Sequence, residues 1–248
     1  MRAQPFHPNP AMADDGDAMR FCSTCAFSDA CLSNGYQKSD LDDLHVLVEH
    51  VGPYPADAMI FREGDPFNAI AAVRAGMVKT SVTDAQGREQ VLGFYLPGEI
   101  IGLNAIHAER YPCNAVAVDT VMLCRFSFSQ MASLATRMPG LQQQLFKLLS
   151  ADIGKAALLA GDFSAEERMA AFLISLSRRY AQRGFSARRF QLAMARTDIA
   201  NYLRLAAETV SRVLRRLQDD GILKVDRREL EIIDMERLQQ LARHVLRE

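Results

Sequence analysis

Three cysteines stand close together near the start of the chain, and their thiols could bind one metal centre. Cys22 and Cys25 are separated by two residues, and Cys31 follows after five more. The Cys-x-x-Cys spacing lets both sulfurs face the same ion or cluster edge. Three cysteines within ten residues are unusual at this composition, so the pattern predicts a metal site. The spacing alone fits an iron–sulfur cluster and also a zinc ion.

A second set of polar side chains recurs at helical spacing in the C-terminal third of the chain. An apolar stripe predicts the buried face of a helix that begins near Ala206: it consists of Val210, Val213, Leu214 and Leu217. Another face of the same helix carries Glu208, Ser211, Arg212 and Arg215, with Thr209 beside them. Arginine can bond guanine through two hydrogen bonds, and glutamate can accept one from the cytosine amino group. This face therefore predicts a helix that reads the DNA major groove.

The elements around this helix favour that reading over an ordinary solvated surface helix. Thr197 is a suitable N-cap for a short preceding helix, whose Ile199 and Leu203 would point inward. Two short apolar runs follow, Ile222–Val225 and Leu230–Ile233, and they predict a small hairpin. Two helices joined by a tight turn and followed by a hairpin are typical of a winged helix-turn-helix.

The distribution of charge agrees with this division of the chain. The net charge of the whole chain is −1. Residues 163–248 hold 17 Lys and Arg against 12 Asp and Glu, whereas residues 1–162 hold 12 against 18. Only the C-terminal part is therefore expected to bind a polyanion.

The N-terminal part has the pattern of an antiparallel barrel or roll. Between Gly52 and Phe126, short apolar runs alternate with glycine-bearing turns, of which residues 84–87 are a predicted hairpin turn. A short helix is predicted over residues 39–51, and its inward positions would be Leu41, Leu44, Val48 and Val51.

A long helix is predicted to follow the roll. A short helix over Ser127–Met138 ends at a proline, and Leu141–Asp162 then carries two apolar stripes. Two apolar stripes need two surfaces, which predicts packing against the roll and against the same helix of a second subunit. The residues predicted to dimerise are Leu141, Leu145, Leu148, Asp152, Ile153 and Leu159.

The pattern as a whole predicts an α+β chain of four segments. A disordered tail (1–20) precedes the cysteine cluster and roll (21–140), the dimerisation helix (141–163) and the winged helix-turn-helix (164–248). Ser164 and Glu167 form a capping box that opens the last segment, in a helix ending near Gly184. No run is long and apolar enough to span a bilayer, and no signal peptide is evident. We therefore expect a cytoplasmic protein without structural disulfides.

The chain resembles the FNR branch of the CRP/FNR family of bacterial transcription regulators. The resemblance rests on the architecture of residues 20–245 and on the segments GFYLPGEIIGLNAI, AEERMAAFLISLSRRYAQRGFS and ETVSR. It implies a homodimer that binds a 4Fe–4S cluster and responds to oxygen. It also implies a regulator that works with RNA polymerase at promoters and is not an enzyme. It also implies Cys22, Cys25 and Cys31 as ligands, and Glu208, Ser211 and Arg212 as readers of TTGAT-type half-sites in double-stranded DNA.

The fourth ligand implied by the resemblance is Cys124 rather than Cys113. The segment VMLCRFSF around Cys124 is similar to the part that carries this ligand in FNR-type regulators, whereas YPCNA around Cys113 is not. Strand alternation places Cys124 on a predicted apolar face with Val116, Val118, Met122 and Phe126. Cys113, in a predicted loop after Pro112, is expected to be exposed.

Some positions depart from the family pattern. Arg204 stands in the inter-helix turn where glycine is usual, and Ala206 offers no capping oxygen. Ala207 replaces the arginine of the cyclic-AMP-binding branch, which favours the FNR-type half-site. The segment after the long helix is about one helical turn shorter than in FNR-type relatives.

Three other functions compete with this one: a cyclic-nucleotide sensor, an iron–sulfur electron carrier and a structural zinc protein. The first would need an arginine for the cyclic phosphate, and residues 111–114 contain no cation. The second would need a substrate site, which the motifs do not provide. The five histidines are scattered, and we interpret them as ordinary surface or core residues.

Overall fold

The computed structural model describes residue 31, residues 48–158 and residues 161–246, apart from the side chains of residues 151 and 153–158. These residues form two compact units, divided between Ala151 and Asp152 except for a short piece at residues 89–91. Among the described residues, no helix has the length and apolar character needed to cross a membrane.

The described strands of the first unit are β1 (Val48–Tyr54), β2 (Met59–Phe61), β3 (Ala69–Ala75), β4 (Val78–Thr83), β5 (Glu89–Tyr95), β6 (Ile100–Ile101), β7 (Asn114–Ala117) and β8 (Val121–Ser127). They form an antiparallel roll of two sheets, ordered β1-β8-β3-β6 and β2-β7-β4-β5. The predicted turn at residues 84–87 joins β4 to β5. Asp84 Oδ1 accepts hydrogen bonds from the backbone of Gln86 and Arg88, both at 2.9 Å.

Side-chain alternation gives the β1-β8-β3-β6 sheet two different faces. One face belongs to the roll interior, which includes Val51, Phe61, Ala71, Tyr111, Cys113 and Leu123. The opposite face lies under the helices that follow the roll, and we call its buried residues the outer apolar cluster. The outer apolar cluster consists of Ile70, Ala72, Ile100, Leu103, Phe126, Met131, Leu134, Ala135 and Leu141.

Two predictions about the strands of this unit are wrong. Val48 and Val51 belong to strand β1, not to a helix; the earlier part of that prediction, residues 39–47, lies outside the described residues. The run from Ala115 to Phe126 is two strands in different sheets, so Val116 does not share a face with Cys124. The turn between them is held by Asp119, whose Oδ1 accepts from the Met77 backbone at 2.7 Å.

Two helices follow the roll, α1 (Phe128–Ala135) and α2 (Pro139–Leu158). The start of α2 packs on the outer apolar cluster through Leu141, Leu145, Leu148 and Leu149. The prediction that Leu141 contacts a partner subunit is wrong, because this side chain is completely buried within its own chain. On the opposite face of α2, Phe146 is 61% exposed.

Leu145, Leu148 and Asp152 keep part of their surface exposed, and their place in a dimer stays a prediction. The side chains of Ile153 and Leu159, also predicted to dimerise, lie outside the described residues.

After α2, the described residues of the second unit form α3 (Ala165–Ala181), β9 (Arg189–Gln191), α4 (Arg196–Leu203), α5 (Ala207–Asp219), β10 (Leu223–Asp226), β11 (Glu229–Ile232) and α6 (Met235–Leu246). The strands pair in the order β10-β11-β9. The predicted capping box is present: Glu167 N donates to Ser164 Oγ at 3.2 Å, and Ser164 N donates to Glu167 Oε2 at 2.8 Å. The predicted hairpin is β10–β11, and β9 extends it to three strands, which the sequence did not indicate.

Candidate DNA-reading surface and cysteine site

The exposed face of α5 carries the side chains that the sequence predicted to read DNA. Val210, Val213, Leu214 and Leu217 are buried and fix the rotation of the helix in its unit. As a consequence, the opposite face is open to solvent, and its exposed side chains are Glu208, Ser211, Arg212 and Arg215. Thr209 is half-buried at the edge of this face. We call these five residues the reading face.

Two residues of the reading face make hydrogen bonds within their own helix. Ser211 Oγ donates to the carbonyl oxygen of Ala207 at 3.1 Å, and Arg212 Nη2 donates to Thr209 Oγ1 at 3.2 Å. At the far side of the helix, Arg216 forms an ion pair with Glu166 of α3 at 2.5 Å. The reading face is thus presented by a helix that is anchored on its other sides.

The turn between α4 and α5 has the backbone that the sequence suggested. Arg204 adopts a left-handed conformation, with φ 56° and ψ 46°. A non-glycine residue in this region costs about 1–2 kcal/mol. Ala206 is the N-cap of α5, and its side chain makes no capping hydrogen bond. The tight turn therefore forms despite two locally unfavourable residues, because the buried stripes of both helices determine where they pack.

Arginines around the hairpin turn add a basic surface that we did not assign to DNA from the sequence. Arg227 and Arg228 are exposed at the tip of the β10–β11 hairpin. Arg196, at the first turn of α4, donates from Nη2 to the carbonyl oxygen of Arg227 at 3.2 Å. The dipeptide Arg227-Arg228 in the predicted hairpin turn could have indicated this basic surface from the sequence. Exposed cations on a wing suit contacts with phosphates, which position a protein on DNA without reading its sequence.

The structure describes two of the four predicted ligands, Cys31 and Cys124. Both are partly buried, and both pack against the outer apolar cluster. Cys124 reaches it from strand β8, on the same face as Phe126. The backbone oxygen of Cys31 accepts a hydrogen bond from Gln144 Nε2 of α2 at 3.3 Å. Two cysteines that are far apart in the sequence therefore both pack against the apolar surface on which the start of α2 lies.

The other two predicted ligands, Cys22 and Cys25, lie outside the described residues. Within the parts of the chain that are described, no three His, Cys, Asp or Glu residues come together as a metal site. Cys31 and Cys124 supply the thiolate donors that iron–sulfur clusters and zinc prefer, in apolar surroundings.

Cys113 has a different environment, and the prediction that it is exposed is wrong. Its side chain is 1% exposed and belongs to the roll interior, on the opposite side of the sheet from Cys124. Burial raises the pKa of its thiol. Asn104 Nδ2 donates to its sulfur at 3.5 Å. A thiol kept protonated in this way is a poor metal ligand.

Aromatic rings fill the roll interior close to Cys113. The rings of Phe61 and Tyr111 are stacked with centroids 3.9 Å apart, and both side chains are 1% exposed. Tyr111 Oη donates to the Ala69 carbonyl at 2.6 Å. Arg110, the cation nearest in sequence, is exposed and donates to the Gly64 carbonyl at 2.7 Å. The side chains of Tyr111 and Cys113 therefore fill the roll interior, while Arg110 lies at its surface.

Comparison with known proteins agrees with both units. Residues 52–138 match the cyclic nucleotide-binding domain family, and residues 167–241 match the Crp-like helix-turn-helix domain family. The transcriptional activator protein anr of Pseudomonas aeruginosa is 41% identical over 225 residues, covering 89% of this chain and 92% of that protein. The fumarate and nitrate reduction regulatory protein of Escherichia coli K12 is 39% identical over 226 residues, covering 90% of each.

The chain belongs to the FNR branch of the CRP/FNR family. It is therefore a DNA-binding transcription regulator of that family. Among solved structures, FixK2 from Bradyrhizobium japonicum is similar with a TM-score of 0.70 and 28% identity, over 78% of this chain and 96% of that one. The predicted α+β architecture is confirmed by these similarities. The match to a cyclic nucleotide-binding domain describes the fold of the roll.

Proposed function

We propose that this FNR-branch protein is a cytoplasmic, oxygen-responsive regulator that binds TTGAT-type palindromic DNA as a homodimer through a 4Fe–4S cluster-dependent switch. The proposed ligands are Cys22, Cys25, Cys31 and Cys124. The observation that carries the proposal is that Cys31 and Cys124 are both partly buried against the outer apolar cluster. When bound, the 4Fe–4S cluster would be the oxygen-sensitive group, because oxygen degrades it.

The surroundings of the two thiols suit such a group. The outer apolar cluster limits the access of water to Cys31 and Cys124, and a dry, hydrophobic shell controls the stability and potential of a metal centre. Cys113 is separated from them by the thickness of the sheet, which supports Cys124 as the fourth ligand.

The outer apolar cluster connects the cysteines with α2, the helix proposed to form the dimer. Leu141, Leu145 and Leu148 pack on it from α2, and Gln144 of the same helix holds the Cys31 backbone. A rearrangement at Cys31 or Cys124 therefore changes the packing of α2. Phe146, on the exposed face of this helix, is available to a second subunit. A dimer of modest stability can be shifted by a change of this kind.

DNA recognition is assigned to the reading face and the wing. Arg212 and Glu208 have the side chains that pair with guanine and with the cytosine amino group, while Ser211 can bond either. Thr209 and Arg215 lie beside them. Arg227 and Arg228 would contact phosphates. A two-fold dimer presents two such faces, which matches the two half-sites of a palindrome. Bound at a promoter in this way, the dimer would act together with RNA polymerase.

Anaerobic purification tests the proposal directly. We expect a brown protein that contains iron and sulfide, bleaches in air and shifts TTGAT-type palindromic DNA only before bleaching. A colourless protein that contains zinc would show that the cysteines serve a structural site. A protein that binds the same DNA equally well before and after air exposure would contradict the oxygen switch, while leaving the DNA-binding role intact. Calorimetry with cyclic AMP should show no binding.

A further inference from the structure

A pair of basic side chains lies beside Cys124 on the same face of its sheet. In the antiparallel ladders, Cys124 of β8 is paired with His50 of β1 on one side and with Ala72 of β3 on the other. Directly paired residues point to the same face, with Cβ atoms about 4.5–5.5 Å apart. Arg74 stands at the register shift between Val73 and Ala75, and its contact with His50 places its side chain: Nη1 lies 3.0 Å from His50 Nδ1.

The hydrogen bond defines the state of the imidazole. An arginine nitrogen can only donate, so His50 Nδ1 accepts and the ring carries its proton on Nε2. The pair therefore holds a positive charge on Arg74 and a second N–H donor on His50. Both residues are half-buried, where a charge or a donor acts more strongly than in open water.

Cys124 lies where this face of the sheet changes from apolar to basic. The preceding row of paired residues is apolar and consists of Val48, Phe126 and Ile70. On one side of Cys124 lies His50, which is bound to Arg74, and on the other side lies the small residue Ala72. The carboxylate of Glu49 faces the opposite side and is paired with Arg125 at 2.5 Å. Cys124 thus has as its cross-strand neighbour a histidine bound to Arg74, while the carboxylate of these three strands, Glu49, is paired on the other face.

We propose that Arg74, through its hydrogen bond to His50, favours the anionic 4Fe–4S centre held at Cys124 and so prolongs cluster retention and raises the cluster's reduction potential. The inference rests on the proposed function. A 4Fe–4S centre with four thiolates is an anion, so a nearby cation and N–H donor favour it, and hydrogen bonding to the sulfurs is one determinant of its potential. His50 and Arg74 are positioning residues, because they act through Cys124.

The test compares four variants of the full-length protein loaded with the cluster under nitrogen. His50→Leu removes the imidazole, Arg74→Met removes the charge, and Arg74→Lys keeps the charge without the planar guanidinium. Arg125→Met is the matched control, since this cation is the next residue after Cys124 but points to the opposite face. Iron release to a chelator without oxygen and the reduction potential by spectroelectrochemistry are the two measurements.

We expect His50→Leu and Arg74→Met to release iron about 10-fold faster than the unaltered protein, the lower end of outer-shell effects at metal sites. Their potentials should move to more negative values. Arg74→Lys should recover most of both properties, and Arg125→Met should match the unaltered protein.

Equal release rates and potentials in all variants would overturn the inference while the proposed function stands. So would an Arg125→Met protein that changes as much as His50→Leu, or a fall in the melting temperature of the cluster-free variants with no change in iron release. If His50→Leu does not fold, the comparison of Arg74→Met with Arg74→Lys decides. An unaltered protein that takes up no cluster would overturn both proposals.

Discussion

The cysteine site and the reading face hold their functional side chains in opposite ways. Cys31 and Cys124 come from distant parts of the chain, are partly buried and share the packed outer apolar cluster. The reading face comes from one helix, and Glu208, Ser211 and Arg212 project into solvent. A packed site depends on every member at once, whereas an open surface contributes contact by contact. Substitutions should therefore act all-or-none at the first site and in increments at the second.

The largest effect should come from Cys124→Ser. Removing this thiolate leaves the proposed cluster with three ligands, so iron, sulfide and visible absorbance should be lost after anaerobic reconstitution. Cys113→Ser is the control, because Cys113 is buried in the roll interior and should not be needed. The opposite pattern would place the cluster on the other side of the sheet.

A smaller effect is expected at the exposed face of α2. Phe146→Asp should weaken the dimer at least 10-fold, since burying an aromatic side chain contributes about 1.5–3 kcal/mol. Sedimentation of the anaerobic protein measures this. Phe185→Asp is a suitable control, because Phe185 is also half-exposed but lies in the other unit. A dimer that tolerates Phe146→Asp would move the interface elsewhere.

Next in size is Arg212→Ala on the reading face. Losing one bidentate arginine–guanine contact should reduce the preference for TTGAT-type over scrambled DNA by about 1–3 kcal/mol per half-site. Gel-shift titrations on both sequences provide the comparison. Arg228→Ala should instead weaken binding to both DNAs alike and reduce the salt dependence, as expected for a phosphate contact. An unchanged preference in Arg212→Ala would contradict its role in base reading.

The smallest effect concerns the turn that orients the reading face. Arg204→Gly should relieve the left-handed backbone at φ 56° and raise the free energy of unfolding, by about 1 kcal/mol or less once the extra freedom of glycine in the unfolded chain is counted. Urea denaturation measures it. Arg215→Gly, in the middle of α5, should lower stability by about 0.5–1 kcal/mol. A destabilised Arg204→Gly protein would mean that the Arg204 side chain has a contact worth more than the strain.

The same contrast explains what could be predicted from the sequence. The reading face, the capping box at Ser164 and the wing depend on residues close together in the chain, where helical spacing and turn residues are informative. Fixing the rotation of α5 requires only its buried stripe. The local pattern was therefore sufficient to find the surface.

The cysteine site depends on strand pairing, which local spacing does not specify. Val48 and Val51 are three residues apart, as on a helix, yet they belong to β1, whose partner is β8. The turn that separates β7 from β8 is held by Asp119 and the Met77 backbone and contains no glycine or proline. Cys113 follows a proline but folds into the roll interior. Only the sheet order shows that His50 and Ala72 flank Cys124.

The two hydrogen bonds within the recognition helix bear on how this protein searches a chromosome for its sites. Ser211 and Arg212 already have partners in Ala207 and Thr209 before any DNA arrives. If the reading face binds base edges as proposed, contacts with phosphates alone leave both internal bonds in place, whereas bonds to bases must replace them. The two side chains would then stay satisfied while the protein slides on non-cognate DNA, and only a matching base edge would displace their partners.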